Sequence, residues 1–189
     1  MLFTDAGGNA YLNLLDVNSI GGVEVIKGPG GSIYGAGTGG ALLLSGANLS
    51  GESQQDTTML SVKASAGRYG TFNETVQYQL KQGDYSINAL QGHVQSDGFR
   101  DQSRMRKDNI QLGVKIKGTD HVSTELLLLL ADLSYQTPGG LNLAQFNANP
   151  RQSRPATSTI PSARDQRAGI FNKTAMMGIS NRFILSDHW

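Results

Sequence analysis

From Thr57 onward the chain alternates apolar and polar side chains with period two, the signature of strands with one greasy face. Leu60, Val62, Ala64 and Ala66 alternate with Met59, Ser61, Lys63 and Ser65. Phe72, Val76, Tyr78 and Leu80 alternate with Asn73, Thr75, Gln77, Gln79 and Lys81, although Glu74 intrudes on the apolar side. Tyr85, Ile87 and Ala89 open a third strand whose phase slips near Leu90, a slip that a bulge would explain. Ile110, Leu112, Val114 and Ile116 against Gln111, Gly113, Lys115 and Lys117 is the cleanest case. A fifth strand, over 122–135, is dominated by leucine, and Ala175, Ile179, Phe183 and Leu185 mark a sixth over 169–185.

The connections sort by length. Residues 67–70, 81–84 and 118–121 are short, 97–107 is eleven residues and 136–168 is thirty-three. If the strands run up and down, the second and fourth connections share one end and are tight turns. The first, third and fifth share the other end and grow along the chain. Alternation alone does not separate a soluble sandwich, which buries its apolar faces between two sheets, from a membrane barrel, which turns them to lipid. Long loops at one end only favour the barrel, and the Ser, Thr, Gln, Asn and Lys of the polar faces suit a wet interior.

Residues 1–51 read differently. Val23–Lys27 is a short strand-like run that Gly28-Pro29 should stop, since Pro29 has no N–H to donate. A glycine-rich stretch over 30–40 and the apolar run Ala41–Leu44 follow. Gly35-x-Gly37-x-x-Gly40 matches a dinucleotide-binding pattern in form. That chemistry needs a helix to open at the glycines, and Ser45-Gly46-Ala47-Asn48 leaves no room for one. Walker A is absent too. A close-packed turn linking this block to the strands is the expectation.

Composition narrows the classes. In 189 residues, 16 Lys and Arg face 15 Asp and Glu, a net charge of +1, which removes the electrostatic footprint of a nucleic-acid binder. With no Cys, disulfide scaffolds and thiolate zinc sites are excluded, and His93, His121 and His188 are too scattered to suggest a metal cluster. No stretch approaches the roughly 18 apolar residues of a membrane helix, and the N-terminus has no signal-peptide pattern. A helical membrane protein is out, but a β-barrel is not. Asp5, Asp16 and Glu24 are too few and too unconstrained to make an acid–base pair.

Val23-Glu24-Val25-Ile26-Lys27-Gly28-Pro29, then Ser32-Ile33-Tyr34-Gly35 and Gly39-Gly40-Ala41, resembles the end of the plug domain in TonB-dependent outer-membrane receptors. Gly67-Arg68-Tyr69-Gly70 and Ser96-Asp97-Gly98-Phe99-Arg100-Asp101 agree with that family's first barrel hairpins. Thr137-Pro138-Gly139-Gly140-Leu141 is similar to a motif of ferric citrate and ferric siderophore receptors. The resemblance implies an all-β chain: an antiparallel transmembrane β-barrel fragment, preceded by the C-terminal end of a plug domain. Residues 1–51 would belong to the plug and 52–189 to the N-terminal part of the barrel, about six strands of an expected 22. The signal peptide, TonB box, most of the plug and the other strands would then lie outside this chain. Two open strand edges cannot be satisfied by lipid, so the piece alone is not expected to transport.

By resemblance, the activity is uptake of a ferric siderophore or ferric citrate across the bacterial outer membrane, energised by the TonB complex through the missing plug N-terminus. There is no cofactor, iron being only part of the carried chelate. Outer-membrane lipid and lipopolysaccharide are the other expected partners, and nucleic acid is not one. TonB-dependent uptake of another nutrient, a passive porin-like or adhesive barrel, and a soluble binding module are the alternatives.

The candidate substrate-binding residues are Arg100, Arg104, Arg106, Arg151, Arg154, Arg164 and Arg167, seven of the nine arginines, gathered in two loops. With Lys107 they set eight cations against Asp97, Asp101 and Asp165, an excess of +5. Such a rim would attract an anionic chelate and offer planar donors to carboxylates; lipopolysaccharide phosphates or plain solvent are the other uses. Phe99 and Phe146 would anchor loops or stack on ligand. Tyr69 and Trp189 are expected at opposite membrane interfaces, and Lys63, Lys115 and Lys117 in the lumen.

Overall fold

The computed structural model describes residues 12–28, 39–46, 56–119 and 121–185. Residues 1–11, 29–38, 47–55, 120 and 186–189 lie outside that description, and with them Asp5, Trp189 and most of the glycine stretch. Two 3₁₀ turns, Leu12–Leu14 and Val17–Ser19, lead into β1 (Ile20–Lys27), which pairs antiparallel with β2 (Gly40–Gly46). The glycine stretch therefore joins two strands of one small sheet, and does not link the first block to the large sheet as expected. Gly28 ends β1 at a φ of 81°, and a strand, not a helix, follows Gly40.

Six strands form one antiparallel meander: β3 (Thr57–Gly67), β4 (Thr71–Gln82), β5 (Tyr85–Ser96), β6 (Met105–Thr119), β7 (Val122–Gln136) and β8 (Gly169–Phe183). The sheet is open, with β3 and β8 at its edges. Two expectations change. β5 pairs with β4 and β6 with no register shift, so no bulge sits at Leu90; the shift in this sheet falls between Lys117 and Thr119. The third connection is shorter than expected, because β6 begins at Met105 and takes Arg106 and Lys107 into the ladder.

Alternation gives the sheet two unlike faces. One is covered in part by residues 12–19. It carries Lys63, Thr75, Gln77, Leu90, Gly92, Lys107, Asn109, Leu129, Ala131 and Leu133, register partners row by row. Leu14 packs there on Ala131 and Leu133, with Tyr135 beside them, and this is the apolar cluster of the described residues. Leu90 was out of phase because it belongs to this face, where it is 3% exposed.

The other face is bare. Leu60, Val62, Met177 and Ile179 are each more than 60% exposed on it. Three successive rows, those of Ile110, Leu112 and Val114, are apolar across nearly the whole sheet, broken by Gln91 and Thr58. Above them Glu74, His93, Asp108, Asp132 and Lys173 stand in one unbroken cross-strand row. Glu74 thus marks the end of the apolar belt and does not interrupt it. Below, the row of Tyr85, Ile116, Thr124 and Asn181 closes it, with Thr124 Oγ1 donating to Asn181 Oδ1 at 2.7 Å.

Candidate functional site

Two assemblies combine buried polar groups with charge. The first holds residues 12–19 against the covered face. Asp16 caps the Val17–Ser19 turn, its Oδ1 accepting from Asn18 N and Asn18 Nδ2, both at 2.8 Å. The turn is then fixed from the sheet. Lys107 Nζ donates to Leu15 O at 2.9 Å, Lys63 Nζ to Asn18 Oδ1 at 2.9 Å, and Asn18 Nδ2 to Thr75 Oγ1 at 3.4 Å. Asn109 is 2% exposed, and neither polar atom of its side chain has a partner among the described residues. Its amide oxygen and Asp16 Oδ2 lie 2.6 and 2.7 Å from where a Cβ on Gly92 would be.

None of these residues was singled out as a site in the sequence. The available signals were the Asp-Val-Asn-Ser capping pattern at Asp16–Ser19 and a lone glycine, Gly92, inside a strand, the mark of a close backbone approach. Lys63 lies on this more polar face, and Lys115 pairs with Glu125 on it at 3.0 Å.

The second assembly is at the end of the sheet where the 68–70, 97–104 and 137–168 connections meet. Thr71 N donates to Arg68 O at 3.3 Å across Tyr69 and Gly70, both at a φ of 62°. These are the dihedrals of a type I′ hairpin, which Asn-Gly usually supplies. Tyr69 packs into the loop cluster. Its ring meets Phe99 edge-on at 5.6 Å, and the Arg151 guanidinium lies 5.6 Å from the Tyr69 ring and 5.8 Å from that of Phe99. Asp97 N donates to Tyr69 O and Asp101 N to Arg151 O, each at 2.7 Å. Phe99 thus joins the loops while 48% exposed, and Phe146, on the short helix α1 (Leu143–Ala148), is 54% exposed.

The seven arginines divide. Arg100, Arg104 and Arg151 surround a polar hollow of about 400 Å³ with Asp97, Asp101 and Gln136. Arg100 donates from Nε and Nη2 to Gln152 O at 3.0 and 2.9 Å, which ties the two loops together. Arg104 pairs with Asp97 at 3.2 Å. Arg154 is spent inside its own loop, on the carbonyls of Pro155 and Pro161 and on Gln166. Arg164 and Arg167 are exposed on that loop. Arg106 is set apart, on the bare face, paired with Asp108 at 2.7 Å. With Arg106 and Lys107 in β6, the two loops hold six arginines against three aspartates, an excess of +3 and not +5. No family model matches the chain.

Proposed function

We propose that this chain is the plug end and first six strands of a TonB-dependent outer-membrane receptor, and that the intact receptor takes up a ferric siderophore or ferric citrate without chemistry on the ligand. The observation that carries the reading is the contrast between the two faces. From the row of Asp108 to the row of Ile116 is eight residues, about 27 Å along the strands. At a barrel tilt of about 35–45° that is roughly 20 Å of height, close to the apolar band of about 25 Å on such barrels. Aromatic residues flank it as girdles do: Phe72 and Phe171 just above the charged row, Tyr85 and Phe183 at the lower end.

A lumen that holds a plug accounts for the other face, where residues 12–19 sit on lysine, asparagine and threonine. A porin-like barrel has no use for that segment. The open edges at β3 and β8 then pair with further strands, since unpaired backbone is not tolerated in hydrocarbon. The clustered loops would form part of the outer mouth, and their arginine excess favours an anionic chelate. Of the seven candidates, Arg104, Arg164 and Arg167 present the most available guanidinium groups.

The test is uptake of radio-iron-labelled ferric citrate and ferric siderophores by receptor-deficient cells producing the protein from its complete reading frame. Accumulation that a protonophore abolishes is the expected result. Binding of another nutrient with none of these chelates would overturn the substrate. Recovery of the protein from buffer without detergent would overturn the barrel.

A further inference from the structure

We propose that His93 is a pH-dependent clamp between β5 and β6, closed while its ring holds a second proton and loosened when that proton leaves. His93 stands on the bare face, in the cross-strand row of Glu74, Asp108, Asp132 and Lys173. Its Nδ1 is 2.6 Å from Asp108 Oδ1 on the neighbouring strand, and its Nε2 is 3.3 Å from Gln95 Oε1. Both ring nitrogens face oxygens, and only the imidazolium donates at both. The His93 and Asp108 side chains are 18% and 39% exposed, and the Phe72 ring lies 6.2 Å from that of His93. Solvent therefore screens this pair less than Lys173 and Asp132, which are 83% and 52% exposed.

The charges around the ring favour that proton. Glu74 flanks His93 from β4 and Asp108 from β6, and Asp132 on β7 comes next along the row. Against these three carboxylates stand Arg106, 2.7 Å from Asp108, and Lys173, 3.0 Å from Asp132. One negative charge is left over, and an imidazolium cancels it. Lys63 and Lys107 lie on the opposite face of the sheet, as does Asp16 above it. Imidazole is the one side-chain type in this row that exchanges its proton between about pH 5 and 8. His93 and Asp108 sit three pairs below Ser96 and Met105, where the ladder ends and the loop carrying Arg100 and Arg104 begins. With the proton, a charge-assisted bond ties the two strands under that loop. Without it, the bond loses its charge and the row keeps an uncompensated carboxylate. The clamp is thus present in acid and lost as pH rises, whatever the bare face meets.

The experiment is hydrogen exchange, read by mass spectrometry between about pH 5 and 8 on the protein from its complete reading frame. Protection is corrected at each pH for the intrinsic exchange rate. Over residues 94–96 and 105–107 it should fall about fivefold as pH rises, the scale of one partly exposed ion pair. The midpoint should coincide with the titration of the His93 ring, followed by its Cε1–H resonance. His93→Gln and Asp108→Asn keep the ability to hydrogen-bond and should both abolish the pH dependence. Asp132→Asn, which changes the charge of the row without touching His93, should preserve it. Protection that does not vary with pH in the parent would overturn the proposal, as would a fall that persists in His93→Gln. Loss of the pH dependence in Asp132→Asn would overturn it too, since the summed charge of the row and not the clamp would then be responsible.

Discussion

Gly92 lies directly under the Asp16 carboxylate: a Cβ on Gly92 would stand 2.7 Å from Asp16 Oδ2 and 2.6 Å from Asn109 Oδ1. The absence of one methyl group lets residues 12–19 approach the sheet closely enough for Lys107 to reach Leu15 O. Gly92→Ala should therefore push the segment off, at a cost of about 1–3 kcal/mol for an overpacked site. The measurement is hydrogen exchange at Leu15 to Ser19, which should quicken. Gly140→Ala is the control, having nothing within 4 Å of the added carbon. Unchanged exchange in Gly92→Ala would refute the close approach.

Leu14 is the apolar part of the same attachment, 3% exposed against Ala131 and Leu133. Leu14→Ala should cost about 2–3 kcal/mol, near the low end for a buried leucine, because a short segment can shift to fill the space. Lys107→Met removes the bond to Leu15 O but keeps the length of the side chain. Both changes act on one contact surface, so their effects on exchange should be non-additive. Strict additivity would separate the two contacts.

Most strands could be read from alternation, and the places where reading failed share a physical cause. Leu90, Leu127, Leu129 and Leu133 put apolar side chains on the covered face as well, because Leu14 and its neighbours shield part of it. Period-two contrast vanishes where both faces are apolar. It vanishes equally in Arg106-Lys107-Asp108-Asn109, where both are polar, and Arg106 and Lys107 read as loop although they form a ladder. The arginine cluster was visible as composition. Its division into loop ties, exposed groups and a bare-face pair was not, since that depends on carbonyls as far away as Gln152 O, 52 residues from Arg100.

Tyr69 occupies a left-handed turn position that Asn fills more comfortably, so its ring must compensate for the backbone. Tyr69→Asn should ease the turn but release Arg151, whose stacking contributes about 0.5–1 kcal/mol. Limited trypsin digestion should then cut faster after Arg151, while Tyr69→Phe digests as the parent does. If both variants digest alike, the ring does not hold the loop.

The two faces of the sheet assign opposite consequences to the same substitution. Leu128 lies in the middle apolar row of the bare face, between Leu112 and Met177. On the proposed barrel, arginine there would sit near the bilayer midplane, at a cost of about 2–4 kcal/mol. Leu128→Arg should sharply lower the amount of protein assembled in the outer membrane, read by fractionation and heat-modifiable gel migration. Ser61→Arg places the same charge on the covered face, beside the Gln77 row and away from lipid. It should assemble at near-parental levels. If the two variants assemble equally well, the bare face does not meet hydrocarbon, and its exposed leucines and valines need a protein partner.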